Sequence, residues 1–270
     1  MIGRIKIENS FSGLEAAAAA FVGRRACVIT DTNVAPLYLE TVKTVLKRVC
    51  IDVCDIVFPA GEQSKTLSTV EAFFYGFIER DFDRNGVIFA LGGGVCGDMA
   101  GFAAATYMRG ISLVQVPTTL LAQVDSCIGG KTAVNLGNYK NVVGAFYQPQ
   151  LVYINIGTLK TLPREHFSSG MAEAVKNGLV GDVDYYNWIS ENRFALKNLN
   201  NEALTKLVFG SCRIKSSFVD EDEKETGRRA LLNFGHTFAH AIEGLIVLSG
   251  LSGFSLPHGH CVALGMRFAL

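Results

Sequence analysis

His236 and His240 lie four residues apart in the stretch Arg228-Arg229-Ala230-Leu231-Leu232-Asn233-Phe234-Gly235-His236-Thr237-Phe238-Ala239-His240. On a helix that spacing puts both rings on one face. The residues between them are Thr-Phe-Ala, so the zinc-protease pattern with an intervening glutamate is absent. His258, in Pro-His-Gly-His-Cys, and Glu173, in Met-Ala-Glu-Ala-Val-Lys, could complete a set of two histidines and one carboxylate. Such a set with an open position is a catalytic zinc arrangement. A histidine pair on a helix, taken alone, reads as structural. The further histidine and the basic and amide groups nearby move the balance toward chemistry.

A second group is glycine-rich. Residues 91–101 read LGGGVCGDMAG, directly after a strand-like run and opening a helix-like one. Such a turn lets backbone approach a phosphate, with free N–H groups and the helix dipole favouring an anion. The consecutive Gly92, Gly93 and Gly94 do not fit the G-x-G-x-x-G fingerprint, so close strand-to-helix packing competes evenly with nucleotide binding. Gly61-Glu62-Gln63-Ser64-Lys65 and Asp31-Thr32-Asn33 follow two other strand-like runs, where a doubly wound sheet presents loops to a ligand. Each alone reads as a solvated turn. Residues 116–141 carry Thr118, Thr119, Asp125, Lys131, Lys140 and Asn141 on a glycine-punctuated segment. The lysines suit an anion pocket as well as a surface hairpin with solvated ammonium groups.

Short β-branched runs at 25–30, 53–58, 86–91, 112–116 and 151–155 alternate with helix-like segments at 67–80 and 97–108. That alternation predicts βαβ crossovers and a parallel, Rossmann-like sheet. The five alanines at 16–20 read as helix. After residue 158 the apolar spacing becomes helical throughout. The expected organisation is an α/β domain over 1–157 and an all-α domain over 158–270.

Lys+Arg and Asp+Glu balance at 25 each, which argues against a nucleic-acid or anionic-membrane surface. The seven cysteines are scattered without a CxxC pair and fit reduced thiols. The N-terminus lacks a signal-peptide core, and no apolar run is long enough to span a bilayer. The expectation is a soluble, cytoplasmic protein.

The stretches GEQSK, LGGGVCGDMAGFAA, QVPTTLLAQVDSCIGGKT, KNVVGAFYQP, MAEAVK and LLNFGHTFAHAIE, in this order and spacing, resemble the 3-dehydroquinate synthase family over nearly the whole chain. The resemblance implies an NAD-dependent enzyme with a divalent metal, zinc or alternatively cobalt. Such an enzyme converts a seven-carbon sugar-acid phosphate to a carbocycle and phosphate by transient oxidation, elimination, re-reduction, ring opening and aldol closure. It places the metal on Glu173, His236 and His258. It places NAD on Asp31, Asn33, Gly61, Glu62, Gln63, Ser64, Lys65, Gly94, Val95, Cys96, Gly97, Asp98, Thr118, Thr119, Lys131, Lys140, Thr158, Leu159, Lys160 and Thr161. Substrate groups fall on Asp125, Lys131, Asn141, Lys176, Lys215, Glu225, Arg229, Asn233 and His240. Arg109 matches a residue that reaches a neighbouring subunit, implying a homodimer.

His260 stands where many members have Glu and is left unassigned. Family members also continue past the position of Leu270. The resemblance therefore implies that residues 259–270 pack on further helices, and that the chain as given binds NAD but turns over poorly. Competing readings are another sugar-phosphate cyclase, a metal-dependent polyol or alcohol dehydrogenase on the same scaffold, or an inactive fragment.

Overall fold

The computed structural model describes residues 1–248 and 256–270, so residues 249–255 of the expected helical domain lie outside the described part. The chain forms two compact units. One comprises residues 3–118 and 129–158, the other residues 1–2, 119–128 and 159–270.

In the first unit the strands are β1 Ile5–Glu8, β2 Arg25–Asp31, β3 Asp52–Phe58, β4 Val87–Gly92, β5 Ser112–Pro117, β6 Lys131–Leu136, β7 Tyr139–Phe146 and β8 Leu151–Asn155. The helices are α1 Leu14–Ala17, α2 Glu40–Leu46, α3 Leu67–Ile78 and α4 Gly94–Thr106. Six strands make one parallel sheet in the order β1-β8-β5-β4-β2-β3. Every residue of β4, β5 and β8 is buried, as expected of parallel strands covered on both faces. Two apolar clusters result. One gathers Phe21, Val28, Phe89 and Tyr153, and the other Ile29, Phe73, Phe77, Ile88 and Met99. α3 shows the local logic: Thr66 caps it by accepting from the Thr69 N–H at 3.2 Å, and Val70, Phe73 and Phe77 line its buried face.

The five β-branched runs all form strands. β1 was not anticipated; it is a four-residue strand that alternates half-buried and exposed positions and offers little apolar signal. Residues 131–146 form an antiparallel hairpin, β6–β7, outside the main sheet. Its Lys131 and Lys140 are exposed. The alanine run is helical only in part: α1 ends at Ala17 and a 3-10 turn covers Ala19–Phe21. The helix expected over 97–108 occupies Gly94–Thr106, because Met108 and Arg109 adopt left-handed backbone at φ 48° and 67°.

The second unit is helical: α5 Arg164–Gly181, α6 Val183–Glu191, α7 Arg193–Lys197, α8 Asn201–Glu221, α9 His236–Leu248 and α10 His258–Ala269. Asp182 and Asn200 cap α6 and α8 through the Tyr185 and Ala203 N–H groups. Residues 119–128, which directly follow β5 in sequence, belong to this unit, and Asn177 of α5 donates to the Val124 carbonyl at 3.3 Å. Residues 229–245, expected to be helical, instead form a 3-10 turn over Arg228–Asn233 and then break at Gly235, φ 81°, before α9 begins. The seven cysteines form no disulfide with one another. Among the described residues no helix is long and apolar enough to cross a membrane.

Candidate functional site

α5 sets Glu173 and Lys176 one turn apart in the apolar interior of the helical unit, where they are 1% and 2% exposed. Two buried charges at that spacing neutralise each other, and Lys176 Nζ sits against Glu173 Oε2. Burial works against the Lys176 charge, but the carboxylates of Glu173 and Asp125 outweigh it and leave the ammonium pKa raised. Glu173 Oε1 has no hydrogen-bond partner among the described residues. An unsatisfied buried carboxylate oxygen is costly and calls for a positive partner.

The structure brings the two family-matched histidines to that oxygen. One donor atom from each of Glu173, His236 and His258 lies within 4.8 Å of the others. His258 Nε2 is 3.7 Å from Glu173 Oε1, and the His236 and His258 ring centroids are 5.3 Å apart. Burial, helped by the Lys176 charge, pushes His236 down to about 4, so its ring is neutral at pH 7. Its Nδ1 faces the Phe234 carbonyl at 3.4 Å, leaving Nε2 as the lone-pair donor. Burial lowers and the Glu243 and Glu173 carboxylates raise the His258 pKa, with a raised net result. A neutral imidazole, a second imidazole and an orphaned carboxylate oxygen fit a divalent cation such as zinc.

Beside this trio, Lys215 Nζ of α8 bonds Asp125 Oδ1 at 2.7 Å and the Asp125 carbonyl at 2.8 Å. Burial alone would raise the Asp125 pKa; Lys215 and Lys176 overcome it and hold the carboxyl well below its usual range. The sign follows. The Asp125 contribution to stability is present above the unfolded-state pKa and is lost only as pH falls toward the depressed folded value. Lys215→Met leaves burial opposed only by the weaker influences, so the Asp125 pKa is expected to rise and the stability its carboxylate contributes at neutral pH to shrink. Denaturant unfolding at pH 7 measures this, and undiminished stability in the variant would contradict it.

The remaining positions expected to face substrate in this unit lie on the turn before α9 and on α9 itself. Arg229 is 2% exposed and donates to the Glu223 carbonyl, and Asn233 donates to the Glu225 carboxylate. Asp222, not anticipated from sequence, organises this turn by accepting from the N–H groups of Thr226, Gly227 and Arg229. His240 is exposed, with its ring centroid 5.7 Å from that of His236. His260 turns away toward Ser168 Oγ, at 2.7 Å. A second unanticipated residue, Glu243, contacts both His240 and His258. Its sequence signal was available: it lies three residues after His240 on the same helix.

The α/β unit collects most of the cofactor positions. The chain runs from β2 to β3 at one edge and then returns to β4 on the other side of β2, a topological switch point. The turns after β2 and β4 are neighbours there: a Cβ on Gly92 would lie 3.5 Å from Asp31 Oδ2. Asp31 also accepts from the Asn33 and Val34 N–H groups. Gly93 precedes α4 without a side-chain cap, so the N–H groups of Gly94, Val95 and Cys96 begin an uncapped helix. A Cβ at Gly97 would meet Gln115 Oε1 at 2.7 Å, so that side chain would have to shift. Thr118 Oγ1 is buried without a partner just past β5.

Lys65, 5% exposed, donates to Asp98 Oδ2 at 2.6 Å and to Asn141 Oδ1, and Glu62 accepts from Asn135 at 2.8 Å. Gly61, Gln63 and Ser64 form the turn that delivers Lys65, with Ser64 Oγ bonded to the Pro59 carbonyl. Cys96 and Leu159 point into the core, so only their backbone could serve a ligand. Thr158 Oγ1 is engaged by the Asn155 carbonyl, and Lys160 and Thr161 are exposed. Thr119 Oγ1 accepts from the Ala122 N–H. Arg109 is exposed on its left-handed turn.

A parallel sheet with a switch-point crevice, together with a helical unit bearing a cluster of two half-buried histidines and one buried carboxylate, defines a class of two-part α/β and all-α proteins. Matches to known families narrow it. The model of the 3-dehydroquinate synthase N-terminal region matches residues 55–169 and that of the C-terminal region residues 170–270. The chain belongs to the 3-dehydroquinate synthase family. It is 49% identical over 243 residues to a 3-dehydroquinate synthase of Symbiobacterium thermophilum, covering 90% of this chain and 66% of that protein. It is 45% identical over 270 residues to that of Shewanella loihica, covering 99% and 72%. The chain thus spans about two thirds of the length of the curated relatives it matches.

Among solved structures it is similar to 2-deoxy-scyllo-inosose synthase complexed with carbaglucose-6-phosphate, NAD+ and Co2+ (TM-score 0.83, 32% identity, 98% of this chain and 71% of that one). It is also similar to 2-epi-5-epi-valiolone synthase from Streptomyces hygroscopicus with NAD+ and Zn2+ bound (TM-score 0.86, 26% identity, 98% and 72%).

Proposed function

We propose that this chain carries the activity of its family: conversion of 3-deoxy-D-arabino-heptulosonate 7-phosphate to 3-dehydroquinate and phosphate, a lyase reaction with no net redox change. The observation that carries the reading is the cluster of buried Glu173 with half-buried His236 and His258, and Lys176, Asp125 and Lys215 beside it. Glu173, His236 and His258 would hold one divalent ion, zinc or cobalt. The turns after β2, β3, β4 and β5 would hold NAD. When bound, NAD supplies a reversible hydride acceptor and the ion a Lewis acid.

The chain's own groups do the rest. Arg229, Lys215 and Lys176 supply fixed positive charge for a substrate that carries a carboxylate and a phosphate. Glu225 and Asn233 position one another, and Lys131 and Asn141 of the hairpin are further substrate-side groups. Arg109, exposed on a strained turn, supports a homodimer in which it serves the second copy. Seven cysteines without a disulfide among them suit the cytoplasm.

Incubating the chain with the heptulosonate phosphate, NAD and Zn2+ while following phosphate and NADH together tests the reading. Phosphate release without NADH accumulation is the expected result. NADH accumulating in step with substrate loss would replace it with a dehydrogenase, and no phosphate release would refute it. Arg229→Lys keeps the charge but loses the planar fork, so kcat/KM is expected to fall about 10–100-fold, the worth of one hydrogen bond to a charged group. NAD affinity should not change, and wild-type kcat/KM in this variant would remove Arg229 from the site.

A further inference from the structure

α9 presents a third polar group on the stripe that carries His236 and His240. Glu243 lies one turn past His240 and two turns past His236. Its side chain is 10% exposed and meets two imidazoles, His258 Nδ1 at 3.1 Å from Oε1 and His240 Nδ1 at 3.3 Å from Oε2. A carboxylate only accepts, so each ring donates from Nδ1 and keeps its remaining lone pair at Nε2. For His258, Nε2 is the atom that faces Glu173 Oε1. For His240, whose side chain is 59% exposed, Nε2 is left as an accessible acceptor.

His236 reaches the same arrangement through the Phe234 carbonyl. One proposed ligand is therefore oriented by backbone, which substitution cannot remove, and the other by a side chain, which it can.

We propose that Glu243 is a positioning residue whose carboxylate holds His258 and His240 in the Nδ1–H form, presenting Nε2 of His258 to the divalent cation and Nε2 of His240 to the sugar-acid phosphate. This rests on the reading of Glu173, His236 and His258 as the cation site. Outer-shell acceptors of this kind fix ring orientation and raise ligand basicity, and their removal costs about 10–100-fold in metal affinity. One carboxylate that serves both rings ties the geometry of the cation to that of the substrate-side imidazole.

The test uses the purified chain, apo and titrated with Zn2+ alone, then loaded with Co2+ for its visible spectrum. Glu243→Ala is expected to bind Zn2+ about 10–100-fold more weakly than wild type. Glu243→Gln, whose amide oxygen still accepts from Nδ1–H, should recover part of that loss with an unchanged Co2+ band shape. Nitrogen NMR of the imidazole rings should show the Nδ1–H form of His258 in wild type and a mixture of tautomers in Glu243→Ala, a change that mere loss of packing would not produce. Wild-type Zn2+ affinity and an unchanged His258 tautomer in Glu243→Ala overturn the proposal. A Co2+ spectrum in Glu243→Gln that reports loss of an inner-sphere ligand overturns it too, because Glu243 would then bind the ion directly. A wild-type chain that binds no Zn2+ overturns the cation site itself, which separates the two failures.

Discussion

Replacing Glu173 by alanine is expected to abolish Zn2+ binding and to destabilise the helical unit by about 3–5 kcal/mol, the cost of leaving one member of a buried ion pair without its partner. Both Glu173 and Lys176 are almost wholly buried, so water cannot take the place of the lost carboxylate. The two consequences have different origins and can be separated. Glu173→Ala combined with Lys176→Met removes the stranded ammonium, so stability should largely return while Zn2+ binding does not. Denaturant unfolding and metal titration on the same samples give both quantities. Undiminished Zn2+ affinity in Glu173→Ala would show that the carboxylate is not a ligand, and a loss of stability below about 1 kcal/mol would show that the ion pair is not held as described.

Gly259→Ala should perturb the same site without touching a ligand. A Cβ at Gly259 would lie 1.9 Å from the Ser169 carbonyl oxygen and 2.8 Å from Ser169 Oγ, which also accepts from the Gly259 N–H at 3.0 Å. The atom in the way is backbone, so α10 has to move off α5. His258, the preceding residue, moves with it. Overpacking of this kind typically costs about 1–3 kcal/mol, and displacing one ligand from Glu173 should weaken Zn2+ binding as well. Gly244 of α9 is the matched control, because among the described residues nothing lies within 4 Å of a Cβ there. Alanine at that helical position is expected to stabilise by about 0.4–1 kcal/mol. If Gly259→Ala matched Gly244→Ala in stability and Zn2+ affinity, the close approach of α5 and α10 would not be what holds His258 in place.

The parts of the protein legible in its sequence are those governed by short-range patterns. Residues 25–30, 53–58, 87–91, 112–116 and 151–155 are apolar, β-branched runs bounded by turn residues, and each forms a strand of the parallel sheet. β1 escaped because an edge strand half in water needs few apolar residues. The hairpin β6–β7 stayed ambiguous because lysines in a glycine-rich segment look the same whether they bind an anion or face solvent; the antiparallel ladder, not the residue types, exposes Lys131 and Lys140. The break at Gly235 was hidden by continuous apolar spacing on both sides of it.

Chemistry divides along the same line. Residue identity and local spacing determined that Glu173 could pair with Lys176 and that His236 and His240 share a helix face, because i, i+3 and i, i+4 geometry is a property of any helix. Only the tertiary structure decided that the Glu173 oxygen is buried without a partner, that α10 delivers His258 to it, and that Glu243 answers both His258 and His240. The physical reason is range. Propensity and periodicity act over a turn or two of chain, whereas the cluster is assembled by the packing of α5 with α9 and α10, which lie far from it in sequence, through contacts as close as Gly259 against Ser169.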